Sequence, residues 1–163
     1  MKIFLKNKVI VIALLLITLM TQTTYAASLG VAYQAHVQNV GWQDWKNNGA
    51  ISGTFNQSLR IEGLKINLEN KQNGMDIQYR THVQNIGWQD WKSNGDIAGT
   101  TGQELRVEAI QIKLNNANGY HVRYKVHVEN IGWQDWVYDG EVAGTIGQSL
   151  RVEAIQIEIV NES

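Results

Sequence analysis

The sequence predicts an all-β fold in which three copies of one unit close around a shared axis, and three observations predict it. The pentapeptide Gly-Trp-Gln-Asp-Trp occurs at Gly41–Trp45, Gly87–Trp91 and Gly132–Trp136 and holds all six tryptophans. Apolar residues around it alternate with polar ones at period two, the signature of a strand with one buried and one wet face. Past the N-terminal segment no apolar stripe at helical spacing occurs, and β-branched residues dominate.

The copies align through Tyr33, Tyr79 and Tyr124, through His36, His82 and His127, and through Arg60, Arg106 and Arg151, in steps of 46 and 45 residues. An open array could run to any number of copies with atypical caps, whereas three that fill the chain suggest a closed pseudo-threefold unit. With three or four short strands per repeat, that means a β-prism-like assembly or a β-trefoil. Strands that look hairpin-paired in sequence favour the prism.

Residues 1–26 are expected to be a secretory signal peptide. Lys2, Lys6 and Lys8 precede an apolar run over 9–20, and Thr24-Tyr25-Ala26 suits cleavage. A spanning helix needs about twenty apolar residues, so that run is too short for a membrane anchor. The remaining 27–163 read as one domain of three repeats, about 31–70, 77–115 and 122–160. The formal net charge of −1 includes those three lysines and no acid from that segment, which leaves −4 for the rest. A mildly acidic chain argues against nucleic acid and against anionic membrane as partners. With no cysteine, there is neither a lipid-anchor thiol nor a disulfide frame, so the core alone must hold the fold.

Each repeat opens with a strand. In the second copy Ile77, Tyr79, Thr81 and Val83 alternate with Gln78, Arg80, His82 and Gln84. The phase breaks at Gly41, Gly87 and Gly132, where glycine permits a bulge or tight bend. Asn48-Gly49, Asn94-Gly95 and Asp139-Gly140 then predict hairpin turns, because both residues tolerate positive φ. A short strand comes next (97–100 in the second copy), then a turn, then a closing strand over 105–114. Its apolar parity switches near Ala109, matched by Gly63 and Ala154, which predicts a second bulge there. Asn- and Gly-bearing links over 70–74 and 115–119 join the repeats.

These residues resemble a known family. His-Val-Gln-Asn-Ile-Gly-Trp-Gln-Asp-Trp, followed by Asn-Gly, Ala-Gly-Thr, Gly-Gln and Leu-Arg-Val-Glu-Ala-Ile, is similar to the ChW repeat, the clostridial hydrophobic repeat with conserved tryptophan, over about residues 31–160. The resemblance implies an exported protein of clostridia or other Gram-positive organisms. It also implies a module that binds substrates, glycans or proteins at the cell surface, and it supplies neither a fixed ligand nor a catalytic set. The first copy departs from the pattern at Phe55-Asn56 and Gly63.

The candidate ligand-binding residues are Trp42, Gln43, Asp44 and Trp45, with Trp88, Gln89, Asp90 and Trp91, and Trp133, Gln134, Asp135 and Trp136. An indole face can stack on a pyranose ring while Gln and Asp hydrogen-bond its hydroxyls, and polar groups beside an aromatic surface make a binding site. The alternatives are tryptophans packed in the core and an Asp that caps a turn. Arg60/Glu62, Arg106/Glu108 and Arg151/Glu153 read as structural pairs locking neighbouring strands or repeats. His36, His82 and His127 could meet at an axis as a three-imidazole zinc set, but they fall on the wet faces, so no metal or other cofactor is expected. No nucleophile triad, phosphate loop or metalloprotease helix is present, and threefold copies suit repeated binding better than one asymmetric catalytic set. The expected function is therefore a secreted, non-catalytic, multivalent module for carbohydrate or cell wall, with protein–protein adhesion at the cell surface as the alternative.

Overall fold

The computed structural model describes residues 27–161, so the expected signal peptide lies outside the described residues. The first repeat comprises β1 (Gly30–Val37), β2 (Gly41–Trp42), β3 (Lys46–Asn47), β4 (Ser52–Gly53) and β5 (Ile61–Glu69). The second comprises β6 (Asp76–Val83), β7 (Gly87–Trp88), β8 (Lys92–Ser93), β9 (Ala98–Gly99) and β10 (Val107–Asn115). The third comprises β11 (Tyr120–Val128), β12 (Gly132–Trp133), β13 (Val137–Tyr138), β14 (Ala143–Gly144) and β15 (Val152–Asn161). The long opening strand of each repeat pairs antiparallel with its long closing strand, from Gly30↔Glu69 to Val37↔Ile61 in the first. The next two short strands line the other edge of the opening strand.

The alternation read from sequence sets the faces. Ile77, Tyr79, Thr81 and Val83 are buried, while Gln78, Arg80 and His82 face outward, half-buried. The three five-stranded sheets turn their apolar faces onto one continuous core.

The fourth strand of each repeat leaves home. β4 pairs with β15 (Gly53↔Ala154), β9 with β5 (Gly99↔Gly63), and β14 with β10 (Gly144↔Ala109). Repeat two thus completes the sheet of repeat one, three completes two, and one completes three. The pairing runs in a cycle.

This corrects the expectation of hairpins at the Asn-Gly and Asp-Gly turns, while local hairpins do form at the bends before Gly41, Gly87 and Gly132. The Asn-Gly and Asp-Gly turns do form, with φ of 30° and 80° at Asn48 and Gly49 and 34° and 90° at Asp139 and Gly140. They close no hairpin, because the glycine N–H of each turn is held by the neighbouring repeat. Gly49 donates to the Ile157 carbonyl at 2.7 Å, Gly95 to Ile66 at 2.8 Å and Gly140 to Ile112 at 2.7 Å. The next strand is delivered onto that neighbour's edge. Its glycine is obligatory: Gly99 has φ +103°, and a Cβ there would lie 2.4 Å from the Glu62 carbonyl oxygen.

The second bulge falls one residue before the predicted position. Register shifts between His36 and Val37, and between Val107 and Ala109, leave Glu62 and Glu108 as the extra residues, and Glu153 by the same shift in the third sheet. A bulge re-aims a side chain, and here it tucks a carboxylate out of water, with all three glutamates buried. The first phase break is the tight bend expected, with Asn39 at φ 61° and Gly41 at 86°.

Tyr33, Tyr79 and Tyr124, all fully buried, are the largest side chains in the core. Each hydroxyl works at the joint between repeats. Tyr33 donates to the Ala50 carbonyl and accepts from the Ile157 N–H at 3.1 Å; Tyr124 donates to the Glu141 carbonyl and accepts from Ile112 N–H at 3.0 Å. Burial, the dominant influence, pushes the Tyr33 and Tyr79 hydroxyls up to about 12 and raises Tyr124 as well.

No tryptophan belongs to the core, which decides against that alternative for Trp42, Trp88 and Trp133. They are half-buried on the outer faces, because Trp42 sits directly across from His36 on the wet parity of β1. Among the described residues no helix is long and apolar enough to cross a membrane.

Candidate functional site

Each repeat builds the same outward-facing group from its turn and its two long strands. The two-residue β2 places Trp42 opposite His36, and the rings meet edge-on at 5.3 Å between centroids. His82 with Trp88 (5.5 Å) and His127 with Trp133 (5.6 Å) repeat the arrangement. Cross-strand pairs of this kind fix side chains to one face.

Gln43 comes next, and its amide behaves as a piece of backbone. Its Oε1 accepts the Gly53 N–H at 2.6 Å and its Nε2 donates to the Gly53 carbonyl at a longer 3.3 Å. Gln89 does the same to Gly99 (2.7 and 3.4 Å) and Gln134 to Gly144 (2.7 and 3.3 Å). The glutamine thereby clips the travelling strand to its own repeat before that strand crosses to the next. Both polar ends are committed.

The aspartates are free of that duty in position: Asp44, Asp90 and Asp135 are exposed beside the indoles. In the first repeat Trp42, Gln43, Asp44, Lys46, Ile51 and Gly53 line a cleft of about 440 Å³. In the second, Trp88, Gln89, Asp90, Lys92, Ile97 and Gly99 line one of about 390 Å³. The third repeat carries Trp133, Gln134 and Asp135 in the same places but has Val137 where the others have lysine. The structure so brings the first tryptophan, the glutamine and the aspartate of each motif into one place.

The second tryptophan stands to one side, and the three copies differ there. Arg80 lies between the two indoles of its repeat, 4.9 Å from the Trp88 ring centroid and 4.7 Å from that of Trp91, which also carries Lys113 at 4.4 Å. Lys125 spans Trp133 (5.3 Å) and Trp136 (4.8 Å), and Arg123 adds a second cation over Trp136 at 4.7 Å. Such contacts are worth roughly 0.5–1 kcal/mol each at exposed sites. In the first repeat Gln34 stands at the place of Arg80 and Lys125, Ala32 at that of Arg123 and Asn67 at that of Lys113. Lys65 there approaches Trp42 at 4.5 Å. Trp45 is 42% exposed, whereas the other five tryptophans are half-buried. Sequence reading missed these cations beside the indoles; their parity on the wet face was the available signal.

Behind the indoles lies a charged trio. Glu62 Oε1 accepts from Arg60 Nε at 2.9 Å and pairs with Nη2 at 2.8 Å. Its Oε2 lies 3.2 Å from His36 Nδ1, ion-pair distance but out of line for a hydrogen bond. Glu108 takes Arg106 and His82 likewise, and Glu153 takes Arg151 and His127. The Arg-x-Glu pair expected to lock strands does so through this histidine, which belongs to the opposite strand. A buried carboxylate is stable only with such partners. The histidines are thereby placed on three separate sheets, each with its own glutamate.

The family described as clostridial hydrophobic W (ChW) matches residues 36–70, 82–116 and 127–161. No curated protein and no solved structure matches the chain.

Proposed function

The chain belongs to the ChW family, which it matches in three repeats, and we propose that it is a secreted or cell-surface, non-catalytic module binding carbohydrate or cell-wall polymer at several sites. The cycle of strand exchange and the three separate sheets support a pseudo-threefold, prism-like arrangement over a trefoil. The observation that carries the function is the copied cleft: a half-exposed indole, an exposed carboxylate and an apolar side chain (Ile51 or Ile97) converge without any of them being needed by the core. Stacking surface plus hydroxyl acceptor is the equipment a sugar needs. Gln43, Gln89 and Gln134 act here by holding the cleft floor. Trp45 is the most open platform, since its counterparts Trp91 and Trp136 already stack on the protein's own cations. Three weak sites on one rigid body gain avidity on a polymer without new contacts.

The test is sedimentation of the purified protein with cell wall, with insoluble polysaccharide and with protein-stripped surface fractions. Retention reversed by free sugar supports the proposal. Retention lost only when surface proteins are stripped favours a second reading, a protein-binding module. That reading has its own observation: Val40, Ile86 and Ile131 expose 55%, 51% and 51% of their surface at the three equivalent bends.

A further inference from the structure

We propose a fourth, single-copy saccharide site at the joint where the first repeat closes onto the third. It rests on the glycan reading only for the class of ligand, since its residues are not those of the tryptophan clefts. Asn56 and Ser58, on the loop after β4, line an open cleft of about 510 Å³ together with His127, Glu129, Arg151 and Glu153. Binding sites for small molecules begin at roughly 300 Å³.

The cyclic exchange gives every joint the same backbone, so differences between joints isolate what this one adds. Glu129 stands where the first two repeats have Gln38 and Gln84, and Phe55 where the others have Thr101 and Ile146. Asn56 takes the place of Gly102 and Gly147 and holds φ 61°, so a side-chain amide is presented where the other joints have none. Phe55 is 41% exposed and leans over His127, with ring centroids 5.9 Å apart, and over Trp133 at 6.3 Å. An acid, an amide and an aromatic edge are thus added to a single joint.

The charges select the ligand. Arg151 is held between Glu129 and Glu153, pairing with both, so neither a free cation site nor a free anion site is left. Glu153 is only 4% exposed, whereas the Glu129 side chain keeps 24% and is the one of the two paired carboxylates that a ligand can reach. Such carboxylates still have lone pairs for hydroxyl donors, and charge-assisted O–H···O bonds are among the stronger ones. A neutral pyranose fits: vicinal hydroxyls toward Glu129 and Asn56, and a C–H face toward Phe55.

The experiment is two-dimensional NMR of the labelled protein during titration with D-glucose, D-galactose and N-acetyl-D-glucosamine, each to about 50 mM so that a millimolar Kd is reached. The expected result is movement of the Asn56, Ser58, Asn130 and Gly132 amides with at least one sugar. Phe55→Thr and Glu129→Gln, which install residues found at other joints, should each raise that Kd roughly tenfold while the indole N–H signals of the clefts keep their response. A thermal melt of both variants close to the parent's shows the fold intact. Cleft indoles that respond while the joint amides stay still with all three sugars would overturn this site and leave the tryptophan clefts standing. Joint amides that respond equally in parent and both variants would also overturn it. Joint amides that respond in a protein whose retention on polysaccharide fails would sustain this site and sink the cleft reading.

Discussion

Replacing Tyr33 by Phe removes one oxygen from the joint between the first and last repeats, and the contacts of that oxygen set the cost. It accepts from Ile157 N–H and donates to the Ala50 carbonyl. Ala50 is exposed, so its carbonyl regains water, but Ile157 is fully buried and its N–H is orphaned. One buried, unsatisfied donor costs about 1–3 kcal/mol. The pH dependence carries a second signature. The folded hydroxyl is raised from 10.0 to about 12, chiefly by burial, so between those values the folded state binds the proton that the unfolded state has lost. Stability is therefore whole below pH 10 and declines as pH rises toward 12. For this one group the decline is on the order of 2–3 kcal/mol. Phe has nothing to titrate. Urea unfolding of parent and variant, followed by circular dichroism from pH 7 to 11.5, should show the variant weaker at neutral pH and the gap narrowing at the alkaline end. Lysine titration is common to both proteins and cancels in the difference. A variant within about 0.5 kcal/mol of the parent at pH 7, or a gap independent of pH, would refute the role given to the hydroxyl.

Glycines at one contact should behave oppositely. Gly99→Ala must force a Cβ to within 2.4 Å of the Glu62 carbonyl oxygen at φ +103°, and we expect a loss of at least about 3 kcal/mol or no folding in denaturant melts. Its partner Gly63 has a negative φ, and its nearest neighbour for a Cβ is Thr101 Cγ2 at 3.4 Å. Gly63→Ala, the residue of the other repeats, should raise the unfolding midpoint by the equivalent of about 0.4–1 kcal/mol. Gln134→Ala deletes both bonds to Gly144 and should cost about 1–2 kcal/mol, read by thermal melting. Arg80→Gln together with Lys113→Asn, copying the first repeat, should uncover Trp91; acrylamide quenching of tryptophan fluorescence would then rise relative to the parent.

Much of the fold was legible from local pattern. Alternation through Ile77, Tyr79, Thr81 and Val83 names both the strand and its buried face, and Asn48-Gly49 names a turn. Where that turn sends the chain was not legible: β4, β9 and β14 are two residues long, and no local signal distinguishes pairing at home from pairing next door. The bulge was misplaced by one residue because Glu62, Glu108 and Glu153 are charged, and burial of a charge is visible only once Arg60 and His36 are seen beside it. Of the tryptophan motif, the structure puts the first indole, the glutamine and the aspartate on one cleft in the first two repeats, with the second indole to one side. The glutamine's clip to glycine ten residues on and the cations over the indoles depend on contacts between strands, which spacing does not reveal.

The most direct test of the cleft proposal is retention on insoluble polysaccharide of Trp42→Ala, Trp88→Ala and Trp133→Ala, the two cleft indoles and their counterpart in the third repeat, singly and combined. All six indoles lie outside the core, so the variants should melt near the parent while binding falls in steps and disappears in the triple variant. Full retention by a folded triple variant would contradict the proposal.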